Sequence, residues 1–215
     1  MVCEEEMMDG DFDCVKTDPT TLVKAWFSDP QYWAFSGKSN ECIDRQLLKK
    51  VDIIGKDVLN LGCFYPEDEI ACAAPAKRWV AVDFCQEVID RCKTLENIPS
   101  CVEFLYQDIR CMDFQNEIFD VVIDFSSGDH LNIADFHTMI HEVHRILKSM
   151  GTFIITYQNS RFFQGDPDVW NQASGYSRCI DPDDLKYILL SSGFDIKVSE
   201  NESGDRAGII AIKVA

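Results

Sequence analysis

Along most of this chain, apolar residues bunch into short runs separated by polar, turn-rich stretches, and the period of the pattern alternates between two values. Residues 58–61, 79–83, 102–106, 119–125 and 152–157 are compact apolar runs rich in Val, Leu, Ile and Phe, as in strands covered on both faces. Between the runs the period lengthens. Val88, Ile89 and Cys92 share one face of a helix predicted over 86–95. Phe136, Met139, Ile140, Val143, Ile146 and Leu147 recur at helical spacing over 134–147. A short helix is predicted over 67–74, with acidic residues suited to its first turn. Asp181 and Pro182 start another, over 183–191, as N-cap and first position, and Gly193 stops it. Residues 194–199 and 208–214 read as two strands joined by a hairpin over 201–206.

Strand–helix alternation of this kind implies an α/β fold: a mostly parallel seven-stranded sheet with helices on both faces, closed by a C-terminal antiparallel hairpin. Ahead of it, residues 21–51 are helical and aromatic (Leu22, Trp26, Tyr32, Trp33, Phe35), and two or three short helices are expected there. The expected division is an N-terminal helical lid segment, 1–50, and a main domain, 51–215. Residues 158–179, rich in Gly, Asn, Asp and aromatics, are expected to form a long loop, and such loops in compact domains are usually functional or mobile.

Composition narrows the partners. The chain has 215 residues, enough for one sizeable core, and 46% are hydrophobic. No run approaches the roughly 18 apolar residues that span a membrane. The N-terminus lacks the basic and apolar regions of a secretory signal, so a cytoplasmic location is expected. With 20 basic against 37 acidic side chains the formal net charge is -17, which disfavours nucleic acid or an anionic membrane as partner. Ten cysteines occur with no C-x-x-C pair, several inside apolar runs, and are expected as reduced, buried thiols.

The candidate chemistry lies at strand ends. In a parallel α/β sheet, ligands bind at the carboxyl ends of the strands. Val58-Leu59-Asn60-Leu61-Gly62-Cys63 runs from a buried strand into a turn, where a glycine allows close approach of a ligand. Trp79-Val80-Ala81-Val82-Asp83 ends in a carboxylate able to accept both hydroxyl hydrogens of a ribose. Together they predict a site for an adenosine-bearing cofactor. A nicotinamide-dependent oxidoreductase shares these two features, but the G-x-G-x-x-G it needs is absent.

From about Val51 onward the chain resembles the class I S-adenosylmethionine-dependent methyltransferases, which have a Rossmann-like fold. The stretch from Val58 to Cys63 resembles their first motif, and the run ending at Asp83 the second. Phe104-Leu105-Tyr106-Gln107-Asp108-Ile109 resembles the third, where an Asp meets the adenine amino group beside an apolar neighbour. Phe119-Asp120-Val121-Val122-Ile123-Asp124 is similar to the strand lining the methyl-transfer site. Glu142-Val143-His144-Arg145-Ile146-Leu147-Lys148 resembles the stretch before the fifth strand. The resemblance implies S-adenosylmethionine as cofactor, with contacts from Asn60, Gly62, Cys63, Asp83, Phe84, Asp108, Ile109, Asp124 and Phe125; it says little about the substrate, for which a small-molecule acceptor methylated at N or O is expected. No metal is implied.

The chain departs from that pattern at one turn. Asn60 stands where the family has an acid, and Phe64 and Pro66 stand where it has glycines. Either the turn takes a variant path and still binds, or the protein is a methyltransferase-like scaffold or regulatory partner. On the acceptor side, Ser126-Ser127-Gly128-Asp129-His130 follows the fourth strand directly, and Asp129 or His130 is the candidate general base. His137, His141 and His144 have metal-compatible helical spacing but no supporting ligands, so a solvated face is expected. Tyr157, ending the fifth strand, is a candidate pocket wall. Tyr32, Trp33, Phe35, Phe162, Phe163, Trp170 and Tyr176 are candidate lid aromatics.

Overall fold

Five strands run parallel at the centre of the fold, and the order in which they pair brings four of their carboxyl ends side by side. The structure, a computed structural model, describes residues 42–162, 168–171 and 175–214. Helix α1 (Ile43–Leu48) precedes β1 (Asp57–Leu61), α2 (Glu67–Cys72), β2 (Arg78–Asp83), α3 (Gln86–Cys92), β3 (Val102–Tyr106) and β4 (Phe119–Phe125). Then come α4 (Ile133–Ile146), β5 (Leu147–Gln158), β6 (Asp168–Asn171), β7 (Gly175–Arg178), α5 (Pro182–Ser191), β8 (Phe194–Glu200) and β9 (Arg206–Lys213). The seven-stranded sheet is ordered β3-β2-β1-β4-β5-β9-β8, with β1 to β5 parallel and β9 antiparallel to both its neighbours. The expected fold class is therefore the observed one.

Alternation along each strand splits the apolar residues into two cores, one on each face of the sheet. Leu59, Leu61 and Val82 face α4 and α5, packing with Phe136, Met139, Ile140 and Leu185. Val58, Trp79 and Ala81 face the other way, onto α1 and α3, packing with Leu47, Val88, Ile89 and Cys92. Central strands covered on both sides must be apolar throughout, which is why they stand out so clearly in the sequence.

Three expectations change. Helix α4 ends at Ile146, because Leu147 turns extended and pairs with Phe119, so β5 begins five residues before residue 152. The expected loop over 158–179 contains an antiparallel ribbon of two four-residue strands, in which Asp168 pairs with Arg178 and Asn171 with Gly175. Of the N-terminal helices only α1 falls within the described residues; Trp26, Tyr32, Trp33, Phe35, Phe163 and the side chains of Trp170 and Tyr176 lie outside them, while Phe162, the one candidate lid aromatic with a described side chain, is exposed. The helix at 183–191 keeps its expected signals: Asp181 caps Asp183 N, Pro182 opens the helix, and Gly193 follows it at φ +86°.

The Glu142–Arg145 pair has a structural job. The Arg145 guanidinium donates to the carbonyls of Phe114 (2.6 Å) and Met112 (2.9 Å) and to Glu142 (2.8 Å), while Glu142 accepts the Met112 amide (3.0 Å). This clamp fixes the connection from β3 to β4, and so the position of the third strand end. Of the eight described cysteines, Cys63, Cys85, Cys92 and Cys179 are buried as expected, whereas Cys42, Cys72 and Cys101 are half-buried and Cys111 is exposed.

Candidate functional site

Parallel register aligns the strand ends: Leu61 lies beside Val82 on one side and Asp124 on the other, and Asp83 lies beside Tyr106. Gly62 and Cys63 leave β1, Asp83 and Phe84 end β2, Asp108 and Ile109 follow β3, and Asp124 and Phe125 end β4. The sequence-predicted residues thus stand on one edge of the sheet.

The turn after β1 is held by main-chain and carboxylate bonds rather than by further glycines. Gly62 sits at φ +67°, a conformation glycine adopts freely. A Cβ there would lie 2.0 Å from Ser127 Oγ, which itself donates to the Leu61 carbonyl at 2.7 Å. Phe64 also takes a positive φ, 38°, and its amide donates to Asp83 Oδ2 at 3.1 Å. The Phe64 ring packs against the core on the α3 face. The Cys92 thiol closes the turn from below by donating to the Phe64 carbonyl at 3.2 Å. So the turn takes a variant path, and the bulk of Phe64 is absorbed by the core.

Asp83 is buried, and its Oδ1 accepts the Cys85 amide at 3.0 Å. Burial pushes its carboxyl up to about 6, against the pull of the Cys85, Phe64 and Phe84 amides. A carboxylate offers about four acceptor sites, so capacity remains for a ribose hydroxyl. Asp108 is held differently. Arg110 donates to both its oxygens, at 2.7 to 3.2 Å, and reaches on to Asp135 at 2.9 Å. Burial raises the Asp108 carboxyl, but the Arg110 bonds outweigh it and hold it below the usual range.

At the end of β4 two carboxyls are buried close together. Asp124 is fully enclosed and accepts the amides of Ser127 (2.7 Å) and Gly128 (3.1 Å). Asp129 points inward rather than capping the next helix; it accepts the Gln158 amide at 3.2 Å, and Asn132 caps α4 instead. Burial pushes both up to about 7; the Asp129 charge adds to the rise at Asp124, whereas Arg206 and Arg178 pull Asp129 down. His130 lies in the same 3₁₀ turn, half-buried. Tyr157 is buried at the end of β5, and its hydroxyl has no partner among the described residues. His144 packs edge-on to Phe194 at 5.3 Å, and no three metal-ligating side chains converge among the described residues.

Two groups escape a reading of the sequence. Arg206, at the start of β9, donates to Thr156 (2.8 Å) and Asp44 (3.1 Å) beside the Asp124–Asp129 pair. Glu69 is buried under the β1 turn, accepting from Asn60 Nδ2 (2.6 Å) and Trp79 Nε1 (3.2 Å). Arg206 comes from the far end of the chain and leaves no local signal. Glu69 does leave one: the acidic run Glu67-Asp68-Glu69 directly after the turn, for which the helix dipole alone is a sufficient reason in sequence terms.

The buried carboxyls set a pH dependence. Glu69, Asp83, Asp124 and Asp129 titrate in the folded state at about 6 to 7, above an unfolded value near 4. Between those limits the folded state binds more protons, so stability falls as pH rises from about 4 to about 7. Asp108 and Glu142, held low by arginines, lose their contribution only below that window. The thermal midpoint of the ligand-free protein is expected to be higher at pH 5.5 than at pH 8, by about 3 °C or more. In Asp124→Asn the difference should narrow. A midpoint that rises with pH overturns this account.

These groups fit S-adenosylmethionine. The unpartnered, buried Asn60 Oδ1 at the end of β1 is an acceptor lacking a donor, and Asp83 keeps acceptor capacity beside it. Residues 58–151 match the methyltransferase domain family. No curated protein matches the chain by sequence. Among solved structures, a methyltransferase of Haloferax volcanii in complex with the Trm112 activator superimposes with a TM-score of 0.72 at 14% identity, covering 90% of this chain and 98% of that one. An S-adenosylmethionine-dependent methyltransferase of Mesorhizobium loti gives 0.68 at 12% identity, covering 81% and 99%. The magnesium protoporphyrin IX methyltransferase of Synechocystis, with S-adenosylmethionine bound, gives 0.65 at 15% identity, covering 92% and 98%. Strand order and matched residues agree: residues 58–151 match a methyltransferase domain, and the chain shares the Rossmann-like fold of these solved methyltransferases.

Proposed function

We propose that the protein transfers a methyl group from S-adenosylmethionine to a small-molecule acceptor at nitrogen or oxygen. The observation that carries this reading is the Asp124–Asp129 pair at the end of β4, beside the expected cofactor edge, with both carboxyls poised near neutral pH. In this reading Asn60, Gly62 and Cys63 hold the methionine part, Asp83 and Phe84 the ribose, and Asp108 and Ile109 the adenine edge. Bound there, the cofactor supplies an electrophilic methyl group on a sulfonium. Asp124, accepting two amides of its own loop, fixes the loop that carries Asp129 and keeps Phe125 in the wall. Asp129, in its ionised form, takes the proton that an amine or hydroxyl acceptor must lose, and His130 borders the same space. Where the acceptor is already a free nucleophile, alignment alone suffices. The strongly acidic composition favours neutral or cationic acceptors over polyanions.

A second reading, a methyltransferase-like partner without catalysis, draws on one observation: both oxygens of Asp108 are already engaged by Arg110. One experiment separates the two. The protein is titrated with S-adenosylhomocysteine by calorimetry, then supplied with S-adenosylmethionine and a panel of amines and phenols. Binding followed by acceptor-dependent release of S-adenosylhomocysteine supports the enzyme; absence of both supports the partner. With an acceptor in hand, Asp129→Asn is expected to lower kcat by roughly 10²-fold or more while cofactor affinity stays within about twofold. Unchanged kcat would leave alignment as the whole mechanism and remove the base.

A further inference from the structure

The family places an acid two residues before the motif glycine, and this chain has Asn60 there. The structure shows where the negative charge went. Asn60 Nδ2 donates to Glu69 Oε1 at 2.6 Å, and the same oxygen takes Trp79 Nε1 at 3.2 Å. In its ionised form that oxygen accepts from both the amide and the indole, so the amide faces it with Nδ2. Nδ2 points to Glu69 and Oδ1 points away from it, with no donor among the described residues. Glu69 Oε2 is likewise unpartnered among them. No lysine or arginine bonds to Glu69 among the described residues; Arg45, on the neighbouring helix, is engaged by Asp68. A buried acceptor without a donor, backed by a buried carboxyl without a cation, is the complement of a primary ammonium, which is all donors and carries the missing charge. Burial accordingly pushes the Glu69 carboxyl up to about 7, so an arriving cation finds a group ready to ionise.

We infer that Glu69 is a positioning residue for the cofactor. It supplies, through the Asn60 side chain, the negative charge that faces the ammonium of the methionine moiety, one hydrogen bond removed from where the family carries it. The acid has moved from the strand to the first turn of α2, and the strand residue has become its relay. This inference rests on the cofactor assignment above and adds a role for a residue outside the motif.

The test compares two ligands that differ in the amino-acid part. S-Adenosylhomocysteine carries the ammonium; 5′-methylthioadenosine has the same nucleoside and thioether without it. Glu69→Gln keeps a hydrogen bond to Asn60 and to Trp79 but removes the charge. It is expected to weaken S-adenosylhomocysteine roughly tenfold or more in calorimetry and to leave 5′-methylthioadenosine within about twofold. The double variant Asn60→Asp with Glu69→Gln puts the charge back on the strand, with the introduced amide as donor to it, and is expected to regain most of the lost affinity. Because it keeps both the charge and the bond, it also serves if Glu69→Gln alone folds poorly. Equal loss for both ligands in Glu69→Gln would make Glu69 a structural residue and overturn the inference, as would unchanged affinity for S-adenosylhomocysteine. A double variant that folds but binds no better than Glu69→Gln also overturns it. Wild-type protein that binds neither ligand overturns the cofactor assignment itself, and this inference with it.

Discussion

Gly62→Ala is expected to destabilise the protein by about 2–4 kcal/mol and to remove measurable cofactor binding. Two separable costs underlie the figure. The residue sits at φ +67°, where an L side chain costs about 1–2 kcal/mol. The new Cβ also falls 2.0 Å from Ser127 Oγ and 2.7 Å from Ser127 Cβ, so the loop after β4 must move. Overpacking of this kind costs roughly 1–3 kcal/mol. Moving Ser127 breaks its bond to the Leu61 carbonyl and pulls on Asp124, which accepts the Ser127 amide. The cofactor turn and the acceptor loop are thus one mechanical unit. Urea unfolding of Gly62→Ala and of Gly62→Ala with Ser127→Gly separates the two contributions. The double variant should recover the overlap and keep the dihedral cost, together with the loss of the Ser127 Oγ bond to the Leu61 carbonyl. If it recovers nothing, the contact is not what makes glycine necessary.

Asp83→Ala should cost at least about 100-fold in affinity, or roughly 2.7 kcal/mol. The carboxylate does two things at once. It accepts the Phe64 and Cys85 amides, and so holds the β1 turn against the end of β2. It also stands as the ribose acceptor. Without it two buried amides lose their acceptor, at about 1–3 kcal/mol each, and the turn loses its tie to the second strand. Asp83→Asn tells the roles apart. Its remaining carbonyl oxygen serves one amide, so stability should fall less than affinity. Calorimetry with S-adenosylhomocysteine and urea unfolding on both variants give the comparison. Affinity within about threefold of wild type in Asp83→Ala would rule the carboxylate out of the site.

The sheet was legible because its central strands are enclosed on both faces, leaving unbroken apolar runs that only a few folds produce. The strand-end residues were legible for a related reason: Gly62, Asp83, Asp108 and Asp124 each interrupt or end such a run. Legibility failed where burial is decided by distant partners. Glu69 looks like an exposed helix-start acid until Trp79 and Asn60 close over it, and Arg206 looks like a hairpin charge until it meets Asp44 and Thr156. Asp129 is legible as a loop acid, but its inward direction follows from the Gln158 amide, which belongs to another strand. The departure at Phe64 resolves in the same way. Whether its ring crowds the turn depends on the space left by α3, and no local pattern encodes that. The ribbon of β6 and β7 stayed hidden because four-residue strands carry too few alternations to register.

The position of β9 has a consequence for how the chain is made. This strand is later in sequence than β8 yet lies inside the sheet, between β5 and β8, and its first residue bonds to Asp44 at the opposite end of the described chain. Synthesis proceeds at about 5–20 residues per second, so everything up to β8 emerges before its neighbour exists. Until residues 206–213 have left the ribosome, β5 presents an open edge, β8 has no strand to pair with, and Asp44 on α1 waits for Arg206. The parallel half can assemble early; completion waits for the last strand. A nascent chain stalled at residue 205 would therefore expose an unpaired strand edge, the state from which chaperone capture and aggregation begin.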